Sequence, residues 1–275
     1  MCKLAISIVT YNTSNSLLGY CLSSIRESTL SALVTVIDNS PSEVSKSIAF
    51  DFGAAYMHLP RNPGYGSAHN IAIRKSIKDS LPYHLVLNAD VRFSSEVLST
   101  LVQYLDANPN VAHVMPKVLN PDGSIQRLCK LVPTPFDLFL RRFLPEPLTI
   151  GARRRFELWN SNYDKIAFIP YLSGCFMLLR TRALEQIGLF DERFFMYPED
   201  IDLTRRIAEQ FDTHFYPYVF VVHERGSASY KSINMMLIHS GNILKYFNKW
   251  GWFFDKRRSM LNKKTLRQFS SSDFS

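Results

Sequence analysis

At 275 residues, with 46% hydrophobic and 20% charged side chains, the chain is long enough to bury a full core and sits within the range of one α/β domain. Its four cysteines, Cys2, Cys21, Cys129 and Cys175, form no CxxC pair, which speaks against a zinc site or a disulfide scaffold and for reduced thiols in the cytoplasm. The net charge of +8 is mostly C-terminal, since residues 241–275 hold 8 Lys+Arg against 2 Asp+Glu while the preceding 240 hold 24 against 22; such a segment suits nucleic acid, an anionic membrane surface or simple solubility.

The apolar run that opens the chain stops at Thr10, too short to span a bilayer and without a small-residue cleavage site, and no later run reaches the roughly 18–20 apolar residues a spanning helix needs. The chain is therefore expected to be neither secreted by this route nor integral. LAISIV (4–9) and LVTVIDN (33–39) read as strands, with a helix over Ser16–Leu30 between them that places Leu17, Leu18, Cys21, Leu22 and Ile25 on one face. This β-α-β unit puts polar residues at the carboxyl ends of its strands, where open parallel sheets bind ligands. A glycine-bearing loop, Asn62–Ser67, leads to a helix over Ala68–Ser76, and HLVLNAD (84–90) is a third strand ending at Asn88 and Asp90.

An amphipathic helix is expected over Glu96–Asn108, then a strand pair over 111–119 and beyond the PDGS turn. Leu131–Trp159 mixes prolines, Phe, Leu and Arg and reads as an irregular insertion. IPYLSGCFMLLR (169–180) reads as one buried strand, followed by a short helix, a helix opening at Pro198, and a last strand over 214–226. In the tail, Ile243, Leu244, Phe247, Trp250 and Phe254 share a helical face opposite Lys245, Lys249 and Lys256, a pattern that fits a membrane interface or a helix packed on the core.

Several side chains could carry chemistry. Asn88 and Asp90 lie at i and i+2 after a strand and could share one hard cation, or equally serve a turn. Glu199, Asp200 and Asp202 open a helix, where carboxylates complement the macrodipole, yet one of them could act as a general base. Asp38 could accept from the N3–H of a pyrimidine or cap its loop. His223 could ligate a metal and Arg225 could pair with phosphate, although a lone His or Arg is often structural.

Taken in order, ISIVTYN (6–12), VIDNSP (36–41), RNPGYGSAHN (61–70), LNADV (87–91), SGCFMLLR (173–180) and IGLFDERFFMYPEDIDLTRR (187–206) resemble family 2 glycosyltransferases of the GT-A fold, nearest to the bacterial rhamnosyltransferase-like branch. The resemblance covers about residues 4–230 and implies an α/β, Rossmann-like, mostly parallel sheet flanked by helices. It implies a GT-A domain over 1–230, with a nucleotide-binding half (1–120) and an acceptor and catalytic half (121–230), followed by a basic helical extension (231–275). It further implies that Thr10, Tyr11, Asn12, Asp38, Asn62, Gly66, Asn70, Asn88, Gly174 and Arg225 contact the nucleotide-sugar. Asp90, with Asn88 and His223, would hold a divalent cation, Mn2+ or Mg2+, and Asp200, supported by Glu199, would be the catalytic base. The family's metal motif often carries two aspartates, and here the first position is Asn88, a weaker ligand.

The implied activity is inverting transfer of a sugar from a nucleotide-diphosphate donor, with L-rhamnose from dTDP-rhamnose as first expectation and a UDP-sugar otherwise. The acceptor is expected to be a lipid-linked oligosaccharide of surface polysaccharide synthesis, O-antigen or capsule, at the inner face of the cell membrane, with the protein held peripherally on anionic lipid. A catalytically weak nucleotide-sugar-binding or scaffold protein is the alternative that Asn88 raises. Nucleic-acid binding is not expected, because the charge of the first 240 residues is nearly balanced and no nucleic-acid motif is present.

Overall fold

The computed structural model describes residues 3–139, 146–224 and 233–269. Up to residue 119 the elements are β1 (Leu4–Thr10), α1 (Asn15–Arg26), β2 (Ala32–Asp38), α2 (Lys46–Asp51), β3 (Ala55–His58), α3 (Tyr65–Lys78), β4 (Tyr83–Asn88), β5 (Val91–Phe93), α4 (Val97–Ala107) and β6 (Val111–Leu119). Then follow β7 (Cys129–Lys130), α5 (Pro135–Leu138), α6 (Glu146–Phe156), β8 (Ala167–Phe168), β9 (Tyr171–Leu172), β10 (Phe176–Arg180), α7 (Thr181–Ile187), α8 (Glu199–Ala208) and β11 (Asp212–His223). Two helices, α9 (Ile233–Trp250) and α10 (Lys256–Leu266), complete the described chain.

The main sheet runs β3-β2-β1-β4-β10-β6-β11-β5, with β8 added on β11. Strands β3, β2, β1 and β4 are parallel, as are β6 and β11, whereas β10 runs antiparallel between β4 and β6. Side chains alternate across the sheet as strand geometry requires. Leu85, Leu87 and Leu178 join Leu18, Cys21, Leu22 and Ile25 of α1 on one face. Val86, Met177 and Leu179 join Ile73 of α3, Leu184 of α7, and Leu203 and Ile207 of α8 on the other. Each fully buried Leu or Ile in these layers contributes about 1.5–3 kcal/mol of transfer free energy. The two halves expected from sequence share this sheet, because β4 and β6 of the first both pair with β10 of the second.

Four expectations change. The first helix stops at Arg26 rather than Leu30, because the amide of Thr29 turns away to the Ser95 carbonyl (3.0 Å). The helix after the glycine loop starts at Tyr65, directly after Gly64 with its φ of 97°, so Gly66 and Ser67 belong to its first turn. The run 169–180 is two strands, β9 and β10, separated at Ser173–Cys175, where the Gly174 amide leaves the ladder to bind Asp200. The tail's aromatic face packs inward: Ile243 and Phe247 are buried with Tyr246, Phe194 and Ile201, and the Trp250 indole N–H donates to Asp202 (2.8 Å). Of the five tail residues expected on one helical face, Phe254 stands free, 99% exposed, and Leu244 is partly exposed.

The antiparallel course of β10 positions the site. Phe176, its first residue, lies beside Leu87 near the end of β4, and the Asn88 amide donates to the Cys175 carbonyl (2.9 Å). The end of β11 closes from the other side, with His223 paired to Val91 directly after Asp90.

Candidate active site

Asn88 and Asp90 occupy the tight connection between β4 and β5. There, His223 Nε2 lies 3.3 Å from Asp90 Oδ1 and 3.4 Å from Asn88 Nδ2. The other ring nitrogen, Nδ1, is 3.0 Å from Gln126 Oε1, while Gln126 Nε2 donates to the His223 carbonyl (2.7 Å). That second bond orients the amide so that its oxygen accepts from Nδ1–H. Nε2 is then left as the lone-pair nitrogen facing Asp90, the tautomer that metal-ligating histidines adopt. Among the described residues no three His, Cys, Asp or Glu side chains gather into a metal site. The donors that face one another here are the Asp90 carboxylate and the His223 imidazole, which fit Mn2+ or Mg2+ if phosphate oxygens complete the coordination; Asn88 would join them through its Oδ1, which in this structure lies on the Tyr65 hydroxyl while Nδ2 faces His223.

Glu199 and Asp200 open α8, and both are buried. Asp200 Oδ2 accepts from the Gly174 amide (3.0 Å) and Oδ1 from the Ile201 amide (2.8 Å). A Cβ on Gly174 would sit 3.2 Å from the Asp200 Cβ, so the close approach needs glycine. Burial pushes the Asp200 carboxyl above its usual range, with the two amides and the Lys130 ammonium opposing. Burial and the neighbouring Asp200 charge push Glu199 up to about 8, and its Oε2 has no hydrogen-bond partner among the described residues. Two carboxyls so close cannot both ionise freely, so at neutral pH the pair retains a proton; the two amide donors on Asp200 favour its ionised form and leave the proton to Glu199. Asp202, the third carboxylate, faces away: it binds Arg206 (2.9 Å), Lys249 (2.6 Å) and Trp250 and holds the tail.

The two carboxylate centres meet at a residue that sequence reading passed over. The Tyr65 hydroxyl lies 3.0 Å from Asn88 Oδ1 and 2.8 Å from the Gly174 carbonyl, and Gly174 in turn binds Asp200. Burial, with the charges of Glu199, Asp200 and Asp90, raises the Tyr65 hydroxyl well above its usual range, so it remains a proton donor. Gln126 was missed as well. Tyr65 lies inside the 61–70 motif and Gln126 in none of the six, and both act through contacts across more than 20 residues.

At the far end of the sheet, Thr10 Oγ1 accepts from Ser45 (3.0 Å), Asn12 adopts a φ of 49° with its amide on Ser40 Oγ (2.8 Å), and Tyr11 is exposed. The Asp38 carboxylate is buried and accepts from the Ser40 and Ser45 amides and the Tyr56 hydroxyl (3.0, 2.9 and 3.0 Å). Burial opposes its ionisation, but these donors outweigh it and hold Asp38 below the usual carboxylate range. Asn62 shapes the adjacent turn, its Oδ1 accepting from Asn39 and the Gly64 amide (3.1 and 3.2 Å). Gly66 packs on Phe190, where a Cβ would come within 2.9 Å.

Asn70 departs from its expected contact with the nucleotide. It is buried, and its amide bonds the Phe190 carbonyl (2.9 Å), the Phe190 amide (3.0 Å) and Glu192 (2.9 Å), so it fixes the loop before α8. Arg225 lies outside the described residues.

Sheet and site together define a glycosyltransferase of the GT-A fold. The chain belongs to glycosyl transferase family 2, whose pattern matches residues 5–188. It is 30% identical over 129 residues to the N-acetylglucosaminyl-diphospho-decaprenol L-rhamnosyltransferase of Mycobacterium tuberculosis, a match covering 46% of this chain and 41% of that protein. It is 24% identical over 243 residues to the dTDP-rhamnosyl transferase RfbF of Shigella flexneri, covering 87% and 75%. Matches to the mycobacterial enzyme and to a Haloferax volcanii hexosyltransferase, Agl10, span only about two fifths to half of those relatives. Among solved structures, the mannosyltransferase PcManGT of Pyrobaculum calidifontis, in complex with GDP-Man and Mn2+, superposes with a TM-score of 0.63 at 16% identity, covering 98% of this chain and 70% of that one. GalNAc-T7 with UDP, GalNAc and Mn2+ gives 0.64 at 16% identity, covering 91% and 48%.

Proposed function

We propose that this chain is a divalent-cation-dependent, inverting glycosyltransferase, most compatible with transfer of L-rhamnose from a thymidine-diphosphate donor to a lipid-linked glycan at the cytoplasmic membrane face. The observation that carries the mechanism is the continuous line of contacts Asp90–His223–Asn88–Tyr65–Gly174–Asp200. The likeness to two rhamnosyltransferases supports the sugar, and the decaprenol-linked substrate named for one of them supports the acceptor.

A divalent cation on Asp90, Asn88 and His223 would neutralise the charge that develops on the leaving nucleoside diphosphate. The residues of the chain do the rest. Gln126 holds His223 in its lone-pair tautomer, Tyr65 spaces the two centres, and buried Asp200, aimed by the Gly174 and Ile201 amides, takes the acceptor hydroxyl's proton as the new bond forms on the opposite face of the sugar. No covalent intermediate is required, and inversion follows.

Asp200→Asn preserves shape and removes the base. Transfer should fall about 10²- to 10⁴-fold while donor binding stays near wild type. The assay is a panel of thymidine-, uridine- and guanosine-diphosphate sugars with manganese, scored for hydrolysis and transfer; near-normal turnover by the variant refutes the base.

A further inference from the structure

Arg127, together with Arg153 and Arg154 from the stretch read as an irregular insertion (131–159), forms a concentration of cations. Three guanidinium groups surround one indole: Arg127, Arg153 and Arg154 lie 4.6, 5.5 and 5.6 Å from the Trp159 ring centre. Among the described residues one carboxylate is ion-paired to this group. Glu157 binds Arg153 (3.2 Å) and accepts from the Trp159 indole N–H (2.9 Å). Neither Arg127 nor Arg154 has a carboxylate partner among the described residues. Arg127 and Arg154 thus bring two charges to this ring without a carboxylate partner among the described residues, which a ring quadrupole offsets only in part.

The position of this cluster is as informative as its charge. Gln126, next to Arg127, is the residue that orients His223. Three residues after Arg127, Lys130 lies 5.4 Å from the Tyr171 ring, in the β7–β9 ladder that leads straight to Gly174 and Asp200. Residues 129–131 and 156–163 are tied together: the Tyr163 hydroxyl meets the Cys129 amide and the Cys129 and Glu157 carbonyls, and the Leu131 amide donates to the Phe156 carbonyl. The cluster is therefore joined through β7 and β9 to the strand end that holds Gly174 and Asp200.

We propose that Arg127, Arg154 and Trp159 form a subsite for the phosphate or diphosphate group of the acceptor, placing its sugar hydroxyl toward Asp200. This rests on the reading of the acceptor as lipid-linked. Guanidinium groups favour phosphate through paired, planar hydrogen bonds, and two uncompensated charges match a diphosphate better than a single carboxylate. The indole keeps the guanidinium planes in place before the ligand arrives, which lowers the ordering cost of binding.

The test titrates inorganic pyrophosphate into the full chain in excess chelator, which silences any cation-held diphosphate, at constant ionic strength. Wild type should bind, and Arg127→Gln/Arg154→Gln should bind about tenfold more weakly or worse. Equal affinity, or no binding by wild type, overturns the site. In turnover, the double variant should raise KM for a diphosphate-linked acceptor while donor hydrolysis and transfer to a neutral glycoside of the same sugar stay at wild-type levels; a matching loss on the neutral glycoside overturns it. Sedimentation with anionic vesicles should be unchanged, and a parallel loss would assign the cluster to bilayer headgroups instead. Absence of donor turnover by wild type refutes the proposed function and leaves the pyrophosphate titration to decide the subsite.

Discussion

The Glu199–Asp200 pair has a pH signature that its residues predict. Unfolded Glu199 ionises near 4.5 and folded Glu199 near 8, so between those values the native state holds the extra proton. Its stabilisation is complete below 4.5 and is lost as pH rises toward 8, with a slope of at most about 1.4 kcal/mol per pH unit. Glu199→Gln, neutral at every pH, should flatten the Tm profile over that window and raise Tm at pH 8, as scanning calorimetry would show; an unchanged slope would reject the protonated assignment. Gln126 offers a second test on the cation side. Gln126→Leu frees the tautomer of His223 and should weaken Mn2+ binding about 10- to 100-fold by calorimetry, with the fold intact by circular dichroism. Undiminished Mn2+ affinity would remove Gln126 from that role.

At the scale of elements, α9 and α10 are part of the catalytic domain's packing. Arg205 of α8 is buried against Asp255 (2.7 Å), with Trp250 stacked on its guanidinium (3.9 Å), and Lys249 spans Asp191 (2.8 Å) and Asp202 (2.6 Å). Removing one partner of a buried pair strands the other, so Asp255→Ala should cost about 3–5 kcal/mol in urea unfolding; a loss below 1 kcal/mol would mean the pair is solvated. The sequence disclosed only part of this helix face: Ile243, Phe247 and Trp250 pack inward, whereas Leu244 is exposed, Phe254 lies beyond α9, and Lys249, expected on the opposite face, binds the same Asp202 as Trp250. Ile243 and Phe247 carry the same periodicity whether they face lipid or protein, and only the burial of Asp202 and Arg205 opposite them decides. The same limit explains the split of 169–180. Its apolar pattern is continuous, while the break at Gly174 answers a carboxylate 26 residues away.

Across the whole molecule, the six ordered motifs made the fold class and family legible, because 6–12, 36–41 and 87–91 fall where parallel strands end and 173–180 opens antiparallel β10 beside the end of β4. What stayed hidden were long-range partners: the antiparallel insertion of β10, Tyr65 between two centres, Gln126 behind His223, and the arginines around Trp159. No helix among the described residues is long and apolar enough to cross a membrane. The exposed pair Phe253 and Phe254, 76% and 99% exposed at the α9–α10 junction ahead of Lys256 and Arg257, supports the proposed contact with an anionic bilayer. Phe253→Ser/Phe254→Ser should reduce sedimentation with anionic vesicles roughly tenfold, leaving transfer to a water-soluble acceptor unchanged. Full vesicle binding by that variant would exclude the junction.

The tail's ion pairs also set an order of events during synthesis. Asp202 and Arg205 leave the ribosome more than 40 residues before Lys249 and Asp255, their partners in the folded chain. Until those residues emerge, Asp202 and Arg205 have only partners within their own helix, Arg206 and Glu209, and the full burial of this face waits for the tail.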